Sequence, residues 1–398
     1  MENNNARLLL KPGREKAVLH RHPWVFSGAV AQVEGDPPPG AVVEVVDAGG
    51  RWLARGTYSP RSQIRVRLCT WEAGEAVDQA FLRRRLQRAR AGRAALEHSA
   101  ATTAYRLVHA ESDGLPGVIV DRYGPCLVLQ LLSQGAEAWR ADLVALLAAE
   151  FSPQSIYARD DAAVRTLEGL PQRAGLLWGT EPPERVAVEE GAGHFLVDIR
   201  RGQKTGAYLD QRENRLRVAP FCAGAEVLDA FTGSGWFAVH AARSDAAAVL
   251  GLDSSAEALA LAAENARLNG VGDRVHGQAG DAFAVLRDLR AAGRTFDVVI
   301  LDPPKFASRQ SQVLAATRGY KDINLLGMQL LRPGGLLATF SCSGLVSADL
   351  FQKVVFGASV DAGRDAQIVA HLAQGADHPV LLTFPEGAYL KGLLCRVW

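Results

Sequence analysis

The segment TFSCSG (Thr339 to Gly344) ends an apolar run with a thiol set between two hydroxyls. A cysteine there is either a packed core thiol or a nucleophile. Buried cysteines usually behave as small inert hydrophobes, and the two serines beside Cys342 do not suit a simple core position. A second apolar run, FDVVILDPPKFAS (Phe296 to Ser308), delivers Asp302-Pro303-Pro304 at its end. Two prolines cannot continue a central strand. They make a stiff exit loop whose carbonyls can hold a polar group of a planar base.

A third stretch, VLDAFTGSGWFAVHAA (Val227 to Ala242), reads as strand, tight glycine turn and helix. Gly233, Gly235 and Ala238 satisfy the loose G-x-G-x-x-G/A pattern, so a dinucleotide has to be weighed. Asp253 ends the next strand, 24 residues beyond Asp229, where an acid can accept hydrogen bonds from ribose hydroxyls. Asp281, in GDAF, ends the third strand, where its carboxylate or neighbouring amides can meet an adenine edge. Charge decides between the two cofactors. A pyrophosphate wants a helix amino terminus and no nearby acid, whereas S-adenosylmethionine brings an ammonium and a sulfonium. Asp229, just before the glycines, suits a cation, and the helix amino terminus still suits the methionine carboxylate. These acids favour S-adenosylmethionine over NAD.

The elements that position these groups alternate strand and helix, as in a parallel α/β sheet. Expected strands are Glu226–Phe231, Ala248–Asp253, Arg274–Gln278, Asp297–Leu301, Leu336–Ser341 and Gln367–Leu372, followed by the terminal GAYLKGLLCRVW. The clearest helix runs from Ser255 to Asn269, with serine caps at its start and Asn-Gly at its end. Residues 1–74 read as short β runs and turns, a small β-rich barrel. Residues 75–184 read as a compact α+β domain with a helix from about Ala136 to Glu150, and residues 185–398 as the α/β domain.

The chain has 398 residues, 48% hydrophobic and 22% charged, with a formal net charge of +1. That composition fits globular domains and by itself demands no anionic partner. The start, Met1-Glu-Asn-Asn-Asn, has no secretory character, and no apolar stretch approaches the roughly 18 residues of a membrane span. Five cysteines, Cys69, Cys126, Cys222, Cys342 and Cys395, lie far apart with no zinc spacing. A reduced, cytoplasmic protein without a metal is expected.

The Asp302-Pro-Pro block resembles motif IV of class I methyltransferases. With GQKTGAYLDQREN (Gly202 to Asn214), DAFTGSGWF, GYKDINLLGMQLLRPGGLLATFSCSG and the early RHPWVFSGAV, the chain resembles the RlmI-type large-subunit ribosomal RNA cytosine-C5 methyltransferases along its whole length. The resemblance implies an amino-terminal PUA barrel that binds RNA, a small central α+β domain and a class I domain. In the last, the sheet would be seven-stranded with an antiparallel final strand. It implies S-adenosylmethionine contacts from Tyr208, Gln211 and Arg212. The glycine loop and strand ends would add Asp229, Phe231, Thr232, Gly233, Ser234, Gly235, Asp253, Ser254, Asp281, Ala282, Phe283 and Asp302.

It also implies why Cys342 is needed. Carbon 5 of cytosine is a weak nucleophile until a thiolate adds to carbon 6, which is covalent catalysis. Lys305 would favour the thiolate, and Asp302 would share a proton near ring nitrogen 3. Many RNA cytosine-5 methyltransferases carry a second cysteine directly after the motif IV prolines. Here Lys305 stands there, so another base or water must release the product. The single-cysteine layout also resembles uracil-5 methyltransferases. Phe306 is one place too late for an exocyclic-amine enzyme, though within reach for stacking on a base.

Lys305, Arg309, Arg318 and Lys321 form a basic set without an intervening acid, placed for RNA phosphates. Six arginines (Arg83, Arg84, Arg85, Arg88, Arg90, Arg93) on the helix from Phe81 are either a solvated face or a second phosphate contact. Trp24 and Phe26 are expected in the barrel core rather than on a stacking surface. The expected partner is large-subunit ribosomal RNA, naked or partly assembled, with no membrane and with a homodimer left open. The rival readings are a non-catalytic RNA-binding assembly factor and an NAD-dependent oxidoreductase.

Overall fold

The computed structural model describes residues 6–307 and 309–398. The opening Met1-to-Asn5 segment, on which the reading of no secretory leader rested, and Ser308 lie outside them. The chain divides into two compact units. One holds the chain up to Val188 with Val197–Ala207 and Asp377–Gly387. The other holds Glu189–Leu196, Tyr208–Ala376 and Ala388–Trp398.

The first unit contains two sheets. The amino-terminal one has six strands, in spatial order Trp24–Phe26, Ile64–Thr70, Trp52–Tyr58, Val42–Val46, Arg7–Leu10 and Val30–Glu34. Alternation drives it: Val43 and Val45 point into a core with Leu8, Leu10, Val25 and Val66, and Glu44 on the other face pairs with Arg55 at 2.9 Å. Trp24 and Phe26 depart from the expected core placement. Phe26 is 48% exposed. Trp24 packs edge-on against Phe384 and donates its indole N–H to Glu111.

The second sheet of this unit has five strands, Arg173–Gly179, Ser155–Asp160, Cys126–Leu131, Val118–Tyr123 and Ala104–His109 in spatial order. Its core takes Phe81, Leu82, Leu86 and Ala89 from one helix and Leu143, Leu146 and Leu147 from another. The single helix expected over 136–150 is two, Gln134–Ala138 and Arg140–Phe151, because Trp139 leaves helical geometry at φ −86° and ψ 2°. The arginine face is largely neutralised. Arg83 pairs with Glu150, Arg84 and Arg85 with Glu75, and Arg90 with Glu97. Arg93 lies beyond the helix, buried, in a two-pronged pair with Asp113 at 2.7 and 2.8 Å. Arg88 alone of the six has no acid partner among the described residues. The phosphate-contact alternative for this face therefore loses most of its charge.

The second unit is built on seven strands: β1 (Glu226–Ala230), β2 (Ala248–Asp253), β3 (Val275–Ala279), β4 (Phe296–Leu301), β5 (Leu331–Ser341), β6 (Ala366–Ala373) and β7 (Lys391–Val397). Their order is β3-β2-β1-β4-β5-β7-β6. Strands β1 to β5 are parallel, and β7 runs antiparallel to both neighbours. The central strands are apolar throughout because helices cover both faces of such sheets. Helix α1 (Trp236–Arg243) follows β1, α2 (Ala256–Leu268) follows β2, α3 (Ala282–Ala291) follows β3, α4 (Val313–Gln329) follows β4, and α5 (Ala348–Ala362) follows β5. Ser255 caps α2 by accepting the Ala258 N–H. Strand β5 starts five residues earlier than expected. Leu331 pairs with Phe296 across a register shift that absorbs Arg332-Pro-Gly-Gly335, a stretch that reads locally as a turn.

Candidate active site

The order reversal between β1 and β4 opens a crevice at the carboxyl ends of the parallel strands, where ligands of open α/β sheets bind. On one side of it stands the glycine loop. Phe231 leaves β1 at φ +68°, a left-handed conformation costing a non-glycine residue about 1–2 kcal/mol. It turns the chain so that Thr232 N–H reaches the Leu252 carbonyl and Gly233 N–H reaches Asp253 Oδ2, both bonds tying the loop to β2. Gly235 is at φ +82°, and a Cβ there would meet Ala262 Cβ at 2.7 Å, so helix α2 leaves no room for a side chain.

Asp229 is buried beneath this loop. Its Oδ2 accepts the Thr232 hydroxyl at 2.6 Å. Its Oδ1 has no hydrogen-bond partner among the described residues. Burial pushes the carboxyl up to about 7, against the Thr232 bond and with help from the charges of Asp302 and Asp253. An acid in that condition is completed by a cation. Gln211 shows the converse: it is buried, its Oε1 accepts from Asn214 at 2.6 Å, and its Nε2 donor is unmatched among the described residues. An unmatched acceptor and an unmatched donor fit the ammonium and carboxylate of an amino-acid group, as S-adenosylmethionine carries.

Asp253 is half-buried and also accepts the Ser255 N–H at 2.9 Å, leaving Ser254 exposed beside it. Asp281 caps α3 through the Ala284 N–H, with Ala282 buried and Phe283 6.1 Å from Phe306, centre to centre. The Asp281 carboxylate thus faces its own helix. Arg212 is buried beside Glu213 at 3.7 Å. Tyr208 is anchored by its carbonyl, which accepts from Arg215 at 2.9 Å. Arg215 also holds Glu190 in a doubly bonded pair, shared with His240. Burial would raise Glu190, but Arg215 and His240 outweigh it and hold the carboxyl at about 2. Tyr208 is 38% exposed, yet partial desolvation, then the charges of Asp302 and Cys342, push its hydroxyl up. Tyr208, Asp302 and Cys342 therefore share one electrostatic neighbourhood.

The other side of the crevice is made by the exits of β4 and β5. Ser343 joins them: its Oγ receives the Ala307 N–H at 3.3 Å and bonds the Tyr320 hydroxyl at 3.0 Å. Phe306 lies on Tyr320 with centres 4.6 Å apart, so its ring is engaged by α4. Ser341 and Ser343 are fully buried, and Cys342 between them is half-buried. The other four cysteines are buried, and burial pushes the Cys69 and Cys222 thiols up to about 12 and Cys395 up to about 11. Lys305, Arg309 and Arg318 are exposed nearby in sequence. Lys321 differs: Asp361 of α5 pairs with it at 2.7 Å, an acid that no local stretch of sequence reveals.

Sequence reasoning passed over Lys391, Tyr389 and Tyr320, and it took Ser341 and Ser343 as unsuited to a core although both are fully buried. Tyr389 donates to Asp210 at 2.6 Å. Lys391, the first residue of β7, is 9% exposed and donates to the carbonyls of Ser343 and Val346, both at 2.8 Å. A lysine opening an apolar strand was the available signal, since lysine is rarely buried without a specific partner.

Comparison with known proteins gives the family and the fold. Residues 8–71 match the PUA-like domain family, and residues 158–376 match the S-adenosylmethionine-dependent methyltransferase family. The chain is 51% identical over 393 residues to the ribosomal RNA large subunit methyltransferase I of Shewanella amazonensis, covering 98% of this chain and 99% of that one. It is 50% identical over 392 residues to the protein of that name from Klebsiella pneumoniae, covering 98% of each. Among solved structures, a putative methyltransferase from Streptococcus mutans superposes with a TM-score of 0.85 at 21% identity, over 98% of this chain and 99% of that one. Another putative methyltransferase, solved as a complex with SAH, superposes with a TM-score of 0.85 at 22% identity, over the same shares. These structural likenesses show a shared fold. The chain belongs to the ribosomal RNA large subunit methyltransferase I family, in which a PUA-like domain is joined to an S-adenosylmethionine-dependent methyltransferase domain.

Proposed function

We propose that this protein methylates carbon 5 of a cytosine in large-subunit ribosomal RNA through a covalent bond from Cys342. The observation that carries the reading is the position of Cys342: the one half-buried thiol, at the tip of β5, bridged through Ser343 to the loop after Asp302. The relatives' names supply the RNA, and the PUA-like domain fits it. When bound, S-adenosylmethionine supplies an electrophilic methyl group, with Asp229, Gln211 and the glycine loop as the residues that would hold its amino-acid end.

Cys342 as thiolate adds to carbon 6 of the ring, which makes carbon 5 nucleophilic. Asp302 sits at the edge of the same crevice to share a proton with ring nitrogen 3. Carbon 5 would then take the methyl group of the bound cofactor, which would leave as the neutral thioether; the carbon 5 proton passes to water or another base, and departure of the thiolate restores the aromatic ring. Tyr208 borders both halves of the site. Lys305, Arg309 and Arg318 are exposed to meet phosphates, which carry affinity rather than base choice. Residues 1–74, 75–184 and 185–398 act as RNA-binding, central and catalytic domains. No helix among the described residues is long and apolar enough to cross a membrane. The substrate in this reading is a naked or partly assembled large subunit in the cytoplasm.

The test uses RNA in which cytosine is replaced by 5-fluorocytosine. Fluorine at carbon 5 blocks the release step, so a denaturant-stable protein–RNA adduct forms with cofactor present. A stable adduct with wild type and none with Cys342→Ala supports the reading. An adduct with 5-fluorouracil RNA alone transfers it to uracil. Methylation that survives Cys342→Ala ends it.

A further inference from the structure

Lys391 is the buried charge that the chemistry above leaves unused. Its backbone pairs with Ser341 across β5 and β7, so it stands directly beside the residue preceding Cys342. Its ammonium bonds the carbonyls of Ser343 and Val346, on the far side of the same cysteine. An ammonium has three donors, and these carbonyls use two. No carboxylate forms an ion pair with Lys391 among the described residues, so its charge is not cancelled locally. A buried cation in a low-dielectric setting acts on its neighbours far more strongly than an exposed one. Lys305, by contrast, is exposed, and solvent screens it.

We propose that Lys391 is the positioning residue that holds the Cys342 loop in place and keeps the Cys342 sulfur ionised by its charge. The proposal rests on the covalent reading only for its catalytic meaning, since the ion pairing stands or falls by itself. The charge of Cys342 acts on Tyr208 from the cofactor side, on Tyr320 from α4 and on Lys391 from β7; Asp302 acts on the same Tyr208, and Lys305 on the same Lys391. A carboxylate such as Asp302 opposes ionisation of a nearby thiol and an ammonium favours it, and of the two lysines only Lys391 is buried. Burial lowers Lys391 to about 8, with the Cys342 charge raising it and Lys305 lowering it further. Lys391 is thus still mainly an ammonium at pH 7, and its coupling to Cys342 and Lys305 places all three in one group.

The experiment follows iodoacetamide alkylation of Cys342 in the full-length native protein against pH, read by mass spectrometry. The four buried cysteines are the internal control. The wild-type half-reaction point is expected at least one pH unit below the roughly 8.5 of an ordinary thiol. Lys391→Gln removes the charge and keeps an N–H donor on a stem one atom shorter. It is expected to slow alkylation at pH 7 about tenfold, with Lys391→Arg restoring most of the rate. A wild-type midpoint at or above 8.5, or an unshifted Lys391→Gln profile, overturns the proposal. If Lys391→Gln does not fold, the wild-type midpoint decides. The covalent reading fails separately, by methylation that survives Cys342→Ala.

Discussion

The strand tips of the seven-stranded sheet carry two chemistries on one edge. Over β1, β2 and β3 the charged groups are acids: Asp229, Asp253 and Asp281. Over β4, β5 and β7 they are a thiol and lysines: Cys342, Lys305 and Lys391. Asp302 sits between the two. Each half is electrically incomplete in the opposite sense. The acidic half keeps a buried carboxyl with an oxygen unmatched among the described residues, while the basic half keeps a buried ammonium with no acid paired to it among the described residues. In the proposed reading a cationic methyl donor lies over the first and the thiolate nucleophile in the second.

The largest expected effect breaks the basic half alone. Cys342→Ala should lower the methylation rate by at least about a thousandfold, as loss of a nucleophile does in other covalent enzymes. Calorimetric titration should find S-adenosylmethionine affinity unchanged. Equal loss of both would mean the halves are not separable.

Asp229→Asn breaks the acidic half. It removes a charge-assisted bond, so cofactor affinity should fall roughly 10- to 100-fold. In the wild type the affinity should rise with pH up to about 7 and then level off, because below that point the carboxyl must lose a proton before it meets the ammonium. Stability runs the other way. The carboxyl is raised from 3.8 unfolded to about 7 folded, so the folded state binds the proton more tightly. Its contribution is complete below 3.8 and is lost as pH rises to about 7, worth roughly 4 kcal/mol. Without cofactor, Asp229→Asn should therefore melt higher than wild type at pH 8, and the difference should shrink at pH 5. A lower melting point at pH 8 would contradict the buried-acid account.

Gly235→Ala is a smaller perturbation of the same half. The added methyl overlaps Ala262 and sits at φ +82°. A loss of about 1–3 kcal/mol in stability is expected, with weakened cofactor binding and an unchanged Cys342 alkylation profile.

The smallest effects come from surface charge. Lys305→Ala and Arg318→Ala should each reduce the slope of log RNA affinity against log salt by about 0.7–0.9. Lys321→Ala should change it less, since Asp361 already holds that ammonium. Equal slopes for the three would show that the ion pair opens on RNA binding.

The sheet was largely legible because its strands are continuous apolar runs and its acids follow them immediately. Six strands were expected within a residue or so of where they lie, apart from the early start of β5, hidden by Arg332-Pro-Gly-Gly335. The acids Asp229, Asp253 and Asp302 were legible for the same local reason. Phe26 misled because an aromatic in a β run suggests a core, yet strand faces cannot be assigned until the partner strands are known.

What the amino-acid order determined by itself was therefore local: the strand and helix periods, the caps, the glycine turn and the residues delivered at each tip. What only the tertiary structure decided was which charges are cancelled. Lys321 met Asp361, Arg93 met Asp113, and Lys391 came to rest on the carbonyls that follow Cys342, 49 positions earlier, with no acid of its own among the described residues. Ion pairing and burial depend on distance in space and on the surrounding dielectric, and neither is a property of sequence neighbours.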